Sequence, residues 1–176
     1  MNCDALKKAI REIPDFPQKG ILFRDIAPIL ADAKLFQQAI AVLCERHVKQ
    51  KPQAVAAIDA RGFIFGAAVA QKLGVGFIPI RKKGKLPFTT LDESYDLEYG
   101  SATISVHVDA LKKGATILIV DDLLATGGTA AACARLIERL GGKIVEIAFL
   151  IELAGLKGRA KLTSYPVFSA IVYEGC

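Results

Sequence analysis

The sequence predicts a doubly wound α/β domain, a mostly parallel sheet with helices on both faces. Three observations carry that prediction. The runs 54–58, 117–120 and 144–151, apolar but for Glu146, lack the alternation of a half-exposed strand, so they read as strands buried on both faces. Stretches of helical periodicity separate them. The 176 residues are 52% hydrophobic and 23% charged, and no repeat, low-complexity tract or linker divides them, which suits a single domain.

Taken in order, residues 4–13 carry helical spacing (Leu6, Ala9, Ile10, Ile13) up to Pro14, which predicts a helix there. Turn chemistry at Phe16-Pro17-Gln18-Lys19-Gly20 precedes a short apolar piece, Ile21-Leu22-Phe23. Over 32–48, Leu35, Phe36, Ile40, Leu43 and Cys44 line one helical face. Residues 54–58 form a buried strand, 62–73 a helix ended by Gly74, and 77–80 a second strand. The polar stretch 81–101 is expected to be irregular; excursions of that length inside a compact domain are usually functional or mobile. Residues 102–108 should finish it as a strand of a hairpin. A third core strand, 115–120, feeds a glycine-rich turn and a helix over 128–140, closed by Gly141-Gly142. Strands at 144–151 and 167–172 complete the sheet.

Composition narrows the function classes. The formal charge of +5 is compatible with an anionic partner. Nucleic acid is not expected, because the basic cluster Arg81, Lys82, Lys83 and Lys85 lacks interleaved aromatics. No run approaches the ~18–20 apolar residues of a membrane helix. The first sixteen residues, MNCDALKKAIREIPDF, have no signal-peptide apolar core, so a soluble cytoplasmic protein is expected. Cys3, Cys44, Cys133 and Cys176 show no CxxC spacing, and His47 and His107 lie far apart, so zinc has no sequence support.

The chemistry concentrates where the third strand ends, in Ile117-Leu-Ile-Val-Asp121-Asp122-Leu-Leu-Ala125-Thr126-Gly127-Gly128-Thr129. Ligands of open α/β sheets bind outside the carboxyl ends of strands. Gly127 and Gly128 permit close backbone approach, Thr126 and Thr129 add hydroxyls, and the following helix supplies unpaired N–H groups. That combination is a monophosphate cradle. Asp121 and Asp122 would repel a phosphate directly beneath them, so they accept hydrogen bonds from sugar hydroxyls or face a metal. A bare Asp-Asp pair would read as an acidic strand end before a capped helix; the Thr-Gly-Gly-Thr context changes that. Neither GxxxxGK[ST] nor GxGxxG occurs.

V-D-D-L-L-A-T-G-G-T resembles the phosphoribosyl-pyrophosphate (PRPP) motif of the type I phosphoribosyltransferases. Most of the chain shares the likeness, which narrows to the adenine-specific branch. Its further marks are Phe16-Pro17, Phe23-Arg24-Asp25-Ile26, Asp59-Ala60-Arg61-Gly62-Phe63, Arg81 with Gly84-Lys85-Leu86-Pro87, and Tyr95-Asp96-Leu97-Glu98-Tyr99-Gly100. Enzymes for 6-oxopurines usually carry Asp before Thr126; here Ala125 stands, as in the adenine branch. The resemblance implies the type I fold, with a hood over about 1–30 that recognises the base and a flexible catalytic hairpin over about 81–108.

It also implies a reaction: N9 of adenine displaces pyrophosphate from C1 of PRPP, giving AMP in purine salvage through an oxocarbenium-like transition state. Asp121 and Asp122 would hold the ribose diol, and Ala125 to Thr129 the 5′-phosphate. Asp59, Ala60, Arg61, Lys82 and Lys85 would meet pyrophosphate, Arg61 through its forked guanidinium. The family often has a strained or cis peptide in this loop, and Asp59–Ala60 is the candidate. Glu98 would handle the proton, with Tyr95 and Tyr99 as lid contacts. Phe16, Leu22, Phe23, Arg24 and Leu153 would form the adenine pocket. Lys19 stands where relatives commonly have Pro, which makes the turn before that pocket less rigid. Mg²⁺ would bind mainly through PRPP, pyrophosphate and water, so no residue is assigned to it. A homodimer is implied as well. The alternatives are a PRPP- or purine-sensing regulator of the same fold without turnover, and a 6-oxopurine phosphoribosyltransferase.

Overall fold

Apolar runs without alternation become the middle of the sheet. In the computed structural model, which describes residues 3–96 and 100–175, the chain opens with α1 (Asp4–Ala9), β1 (Arg11–Ile13), β2 (Phe23–Asp25), α2 (Ala27–Ala31) and α3 (Ala33–Glu45). The α/β body follows: β3 (Ala54–Ile58), α4 (Arg61–Leu73), β4 (Gly76–Lys82), β5 (Thr90–Asp96), β6 (Ser101–His107), β7 (Thr116–Leu124), α5 (Gly128–Arg139), β8 (Lys143–Leu153) and β9 (Val167–Tyr173). The main sheet runs β5-β6-β4-β3-β7-β8-β9. From β4 to β9 every pairing is parallel, and the β5–β6 hairpin joins antiparallel at the β4 edge. The doubly wound expectation holds.

Alternation within β7 divides the interior into two cores. Leu118 and Val120 face Phe65 and Val69 of α4 and Leu43 of α3. Ile117 and Ile119 face Leu136 and Ile137 of α5, together with Phe149 and Ile147. Phe65 and Phe149 are fully buried, and each contributes about 1.5–3 kcal/mol by leaving water. Helix α3 starts where Asp32 accepts from the Lys34 and Leu35 amides at 2.8 and 3.0 Å, a cap worth about 1 kcal/mol.

Several elements differ from expectation. The first helix stops at Ala9, because Ile10 turns extended and Arg11–Ile13 pairs with Phe23–Asp25. Pro14 disfavours helix at Ile13, and ion pairs Arg11–Asp25 and Arg24–Glu12 cross the small sheet. The hood also contains the short α2, with Pro28 in its first turn and Ile29 fully buried. Residues 90–96, expected to be irregular, are a strand paired with β6 from Thr90↔His107 to Asp96↔Ser101. Its charges have partners: Glu93 meets Arg135 at 2.6 Å and Arg139 at 2.7 Å, and Asp92 accepts from Ser105 at 2.7 Å. Finally, β7 runs on to Leu124, so Asp121 and Asp122 lie inside the strand rather than after it. No helix among the described residues is long and apolar enough to cross a membrane.

Candidate active site

Two helix starts converge at the carboxyl end of the parallel strands. Helix α4 begins directly after β3, and α5 begins just beyond β7; neither has a side-chain cap. Their first-turn N–H groups are therefore available to an anion. Residues 58–62 and 121–130 line one cleft of about 260 Å³ between them. Asp59, Ala60, Arg61, Asp121, Asp122 and Ala125 to Thr129 all belong to that lining.

The loop before α5 is built for close approach. Gly127 has φ 76°, a left-handed conformation costly for other residues. A Cβ there would also strike the Gly158 carbonyl oxygen. Gly62 has a different reason to lack a side chain: a Cβ would stand 2.6 Å from Asp121 Oδ1. Asp121 therefore lies flush against the first turn of α4.

The acids differ in surroundings. The Asp122 amide donates to Asp121 Oδ1 at 2.9 Å. Burial, and next the charge of Asp122, push the Asp121 carboxyl well above the usual aspartate range. Asp122 is raised too, by burial, with Arg61 opposing the shift. Arg61 Nε sits 2.7 Å from Asp122 Oδ2. That oxygen is buried and has no aligned hydrogen-bond donor, so its contact with Arg61 is an ion pair. Arg61 also lies over the Phe23 ring, 5.2 Å from its centroid. The Asp59–Ala60 peptide is cis, as is Phe16–Pro17.

A second cavity of about 210 Å³ opens between the hood and the end of β8, lined by Gly20, Ile21, Leu22, Arg24, Leu153, Leu156 and Gly175. Leu22, Arg24 and Leu153 meet there. Phe16 and Phe23 are outside the lining and pack edge to face on each other at 5.1 Å. Arg24 is buried, paired with Glu12 and stacked 3.8 Å from the centroid of the Tyr173 ring.

Lys82 and Lys85 are exposed and do not line the cleft. Arg81 links the two regions, donating to Asp59 Oδ2 at 2.9 Å and to the Lys85 carbonyl at 3.0 Å. Tyr95 is half-buried against α5, where its hydroxyl accepts from Thr129 Oγ1 at 3.1 Å. Glu98 and Tyr99 lie outside the described residues. Ile21, Leu156 and Gly158 were not singled out from sequence; they are ordinary residue types whose importance depends on what folds against them.

A phosphoribosyl transferase domain model matches residues 28–173. The adenine phosphoribosyltransferase of Thermotoga maritima is 54% identical over 168 residues, spanning 96% of this chain and 97% of that one. The chain belongs to the adenine phosphoribosyltransferase family. Among solved structures, the Thermoanaerobacter pseudethanolicus enzyme superposes with a TM-score of 0.95 at 51% identity, covering 98% of this chain and 100% of that one. The Saccharomyces cerevisiae enzyme, complexed with an iminoaltritol bisphosphate and adenine, gives 0.91 at 42% identity over 96% and 97% of the two chains.

Proposed function

We propose that the protein transfers the 5-phosphoribosyl group of PRPP to adenine, forming AMP and pyrophosphate in purine salvage. The observation that carries this reading is the single cleft shared by residues 58–62 and 121–130, flanked by two uncapped helix starts and a pair of carboxylates. In the reaction the C1–O bond to pyrophosphate breaks, the C1–N9 bond to adenine forms, and the N9 proton leaves. Positive charge grows on the ribose and negative charge on pyrophosphate.

Each need has a candidate group. Residues 125–129 would hold the 5′-phosphate as a remote anchor, so binding energy there orients C1. Asp121 and Asp122 would accept from the ribose diol and favour the cationic sugar. Arg61, paired with Asp122 at the mouth of the cleft, would meet pyrophosphate, with Asp59, Ala60, Lys82 and Lys85 completing that subsite. Leu22, Arg24 and Leu153 would enclose adenine, with Phe16 and Phe23 bracing the hood. Glu98 would take the N9 proton, with Tyr95 and Tyr99 as lid contacts.

The nearest carboxylate to a magnesium ion on the pyrophosphate side would be Asp122, whose Oδ2 is paired with Arg61. It would meet an ion held otherwise by PRPP, pyrophosphate and water; no group of three or more His, Cys, Asp or Glu suited to a metal occurs among the described residues. The ion would neutralise charge on the pyrophosphate. A single domain with a hood over about 1–30 and a hairpin over about 81–108, a homodimer and a cytoplasmic location complete the proposal.

The test is pyrophosphate release with PRPP, Mg²⁺ and, separately, adenine, hypoxanthine, guanine, xanthine and orotate. Turnover with adenine alone is expected. PRPP binding without turnover on any base, or turnover on a 6-oxopurine instead, would overturn the proposal.

A further inference from the structure

The chain after β8 touches both proposed subsites. Leu153 and Leu156 line the cavity beside the hood. Just beyond, Gly158 lies backbone to backbone against the phosphate loop. A Cβ on Gly158 would run into the Ala125 carbonyl oxygen and approach Gly127 N to 3.1 Å, while one on Gly127 would strike the Gly158 oxygen. Between Leu156 and Gly158, Lys157 takes a left-handed φ of 54°, a conformation that needs support from its surroundings.

Arg159, two residues further on, ties this turn to the sheet. Its Nε and Nη2 donate to the two oxygens of Glu152 at 2.7 Å each, and Nη1 donates to the Val167 carbonyl at 3.0 Å. A longer contact of 3.3 Å reaches Ser169 Oγ. Glu152 is only 4% exposed near the end of β8, paired in register with Leu124 just before the phosphate loop. Burial alone would raise its carboxyl, but hydrogen bonds from Arg159 and Ser169 outweigh that and hold it low. The forked pair thus fastens residues 154–161 to β8, which pairs with the end of β7 where the phosphate loop begins.

We propose that Arg159 is a positioning residue for both grips on the nucleotide: through Leu156 it shapes the base cavity, and through Gly158 it braces the phosphate loop. The identity of the two ligands rests on the phosphoribosyl-transfer reading. Arg159 touches neither substrate. Its loss removes binding common to ground and transition states, which raises KM and leaves kcat much less affected.

The experiment is steady-state kinetics with adenine and PRPP varied separately, on wild type, Arg159→Ala, Arg159→Lys and Glu152→Gln. Wild-type turnover reports on the reading itself; the pattern among variants reports on Arg159. Arg159→Ala should raise both KM values about tenfold or more, the scale of a lost charge-assisted pair. Arg159→Lys should recover little, since an ammonium cannot fork onto two oxygens. Leu156→Ala should raise only the adenine KM, and Gly158→Ala mainly the PRPP KM. A variant of Arg159 that moves only one KM, neither, or kcat alone would overturn the assignment. If Arg159→Ala does not fold, Glu152→Gln, which keeps shape and loses charge, carries the same test.

Discussion

Asp121 has neighbours that pull its proton in opposite directions. Burial and the Asp122 charge favour the neutral acid, while the Asp122 amide and Arg61 favour the carboxylate. The first pair prevails, so the carboxyl holds its proton at a pH where an ordinary aspartate has lost it. If Asp121 takes the ribose role proposed above, its carboxylate is the active form, so kcat/KM should rise as pH rises through that elevated value and level off above it. The acid limb belongs to the Asp121–Asp122 pair as a unit. Asp121→Asn should shift the limb, leaving Asp122 alone to titrate, and lower kcat/KM by roughly 10²-fold or more, the scale of losing a charge-stabilising contact. A pH–rate profile of both proteins checks this; an unchanged limb in Asp121→Asn assigns it elsewhere.

Among the elements, the β5–β6 hairpin is tied to α5 through Glu93. Hydrogen bonds from Arg135, and more weakly from Arg139, hold its carboxyl below the usual range against burial. Glu93→Gln should loosen β5 from α5 without touching β3, so that β5 amides exchange about tenfold faster while β3 amides are unchanged, as expected for a lost charged hydrogen bond. Equal protection in both proteins would show that backbone pairing alone holds the strand. The same hairpin marks where sequence reading failed. Strands β3 and β7 were legible because their apolar runs admit only a doubly covered sheet. In β5, Asp92, Glu93, Ser94 and Asp96 look like loop; pairing with β6 and the distant Lys83, Ser105, Arg135 and Arg139 make a strand of them. At the other end, helical spacing through Ile13 concealed a pairing made with Phe23–Asp25. The cleft was legible for the opposite reason: Asp121 to Thr129 are contiguous and chemically unusual together. Leu156 and Gly158 are common residues whose neighbours arrive from elsewhere in the chain.

For the molecule as a whole, β8 carries a buried glutamate towards each end. Glu146 meets His47 at 3.0 Å and Arg46 at 2.8 Å, and Glu152 meets Arg159. Burial would raise both carboxyls, but their partners outweigh it and both sit low. A depressed folded value means stability that is fully present above the unfolded glutamate value of about 4.3 and is lost as pH falls through the folded one. The contribution of these two pairs to the thermal midpoint should therefore be level near neutrality and drop steeply below about pH 4. Glu146→Gln should lower the neutral midpoint and flatten the drop, which calorimetry across pH would detect; a drop as steep as wild type would place the acid sensitivity in other groups.

The contact between Gly127 and Gly158 also limits how such a protein can diverge. A lengthened or shortened turn between Leu153 and Gly158 would reshape the cavity beside the hood, the proposed base subsite, and would at the same time shift the wall behind residues 125–129. New base preferences should therefore arise by exchange of side chains at fixed length, and insertions in this turn should be rare among lineages that keep the catalytic trade.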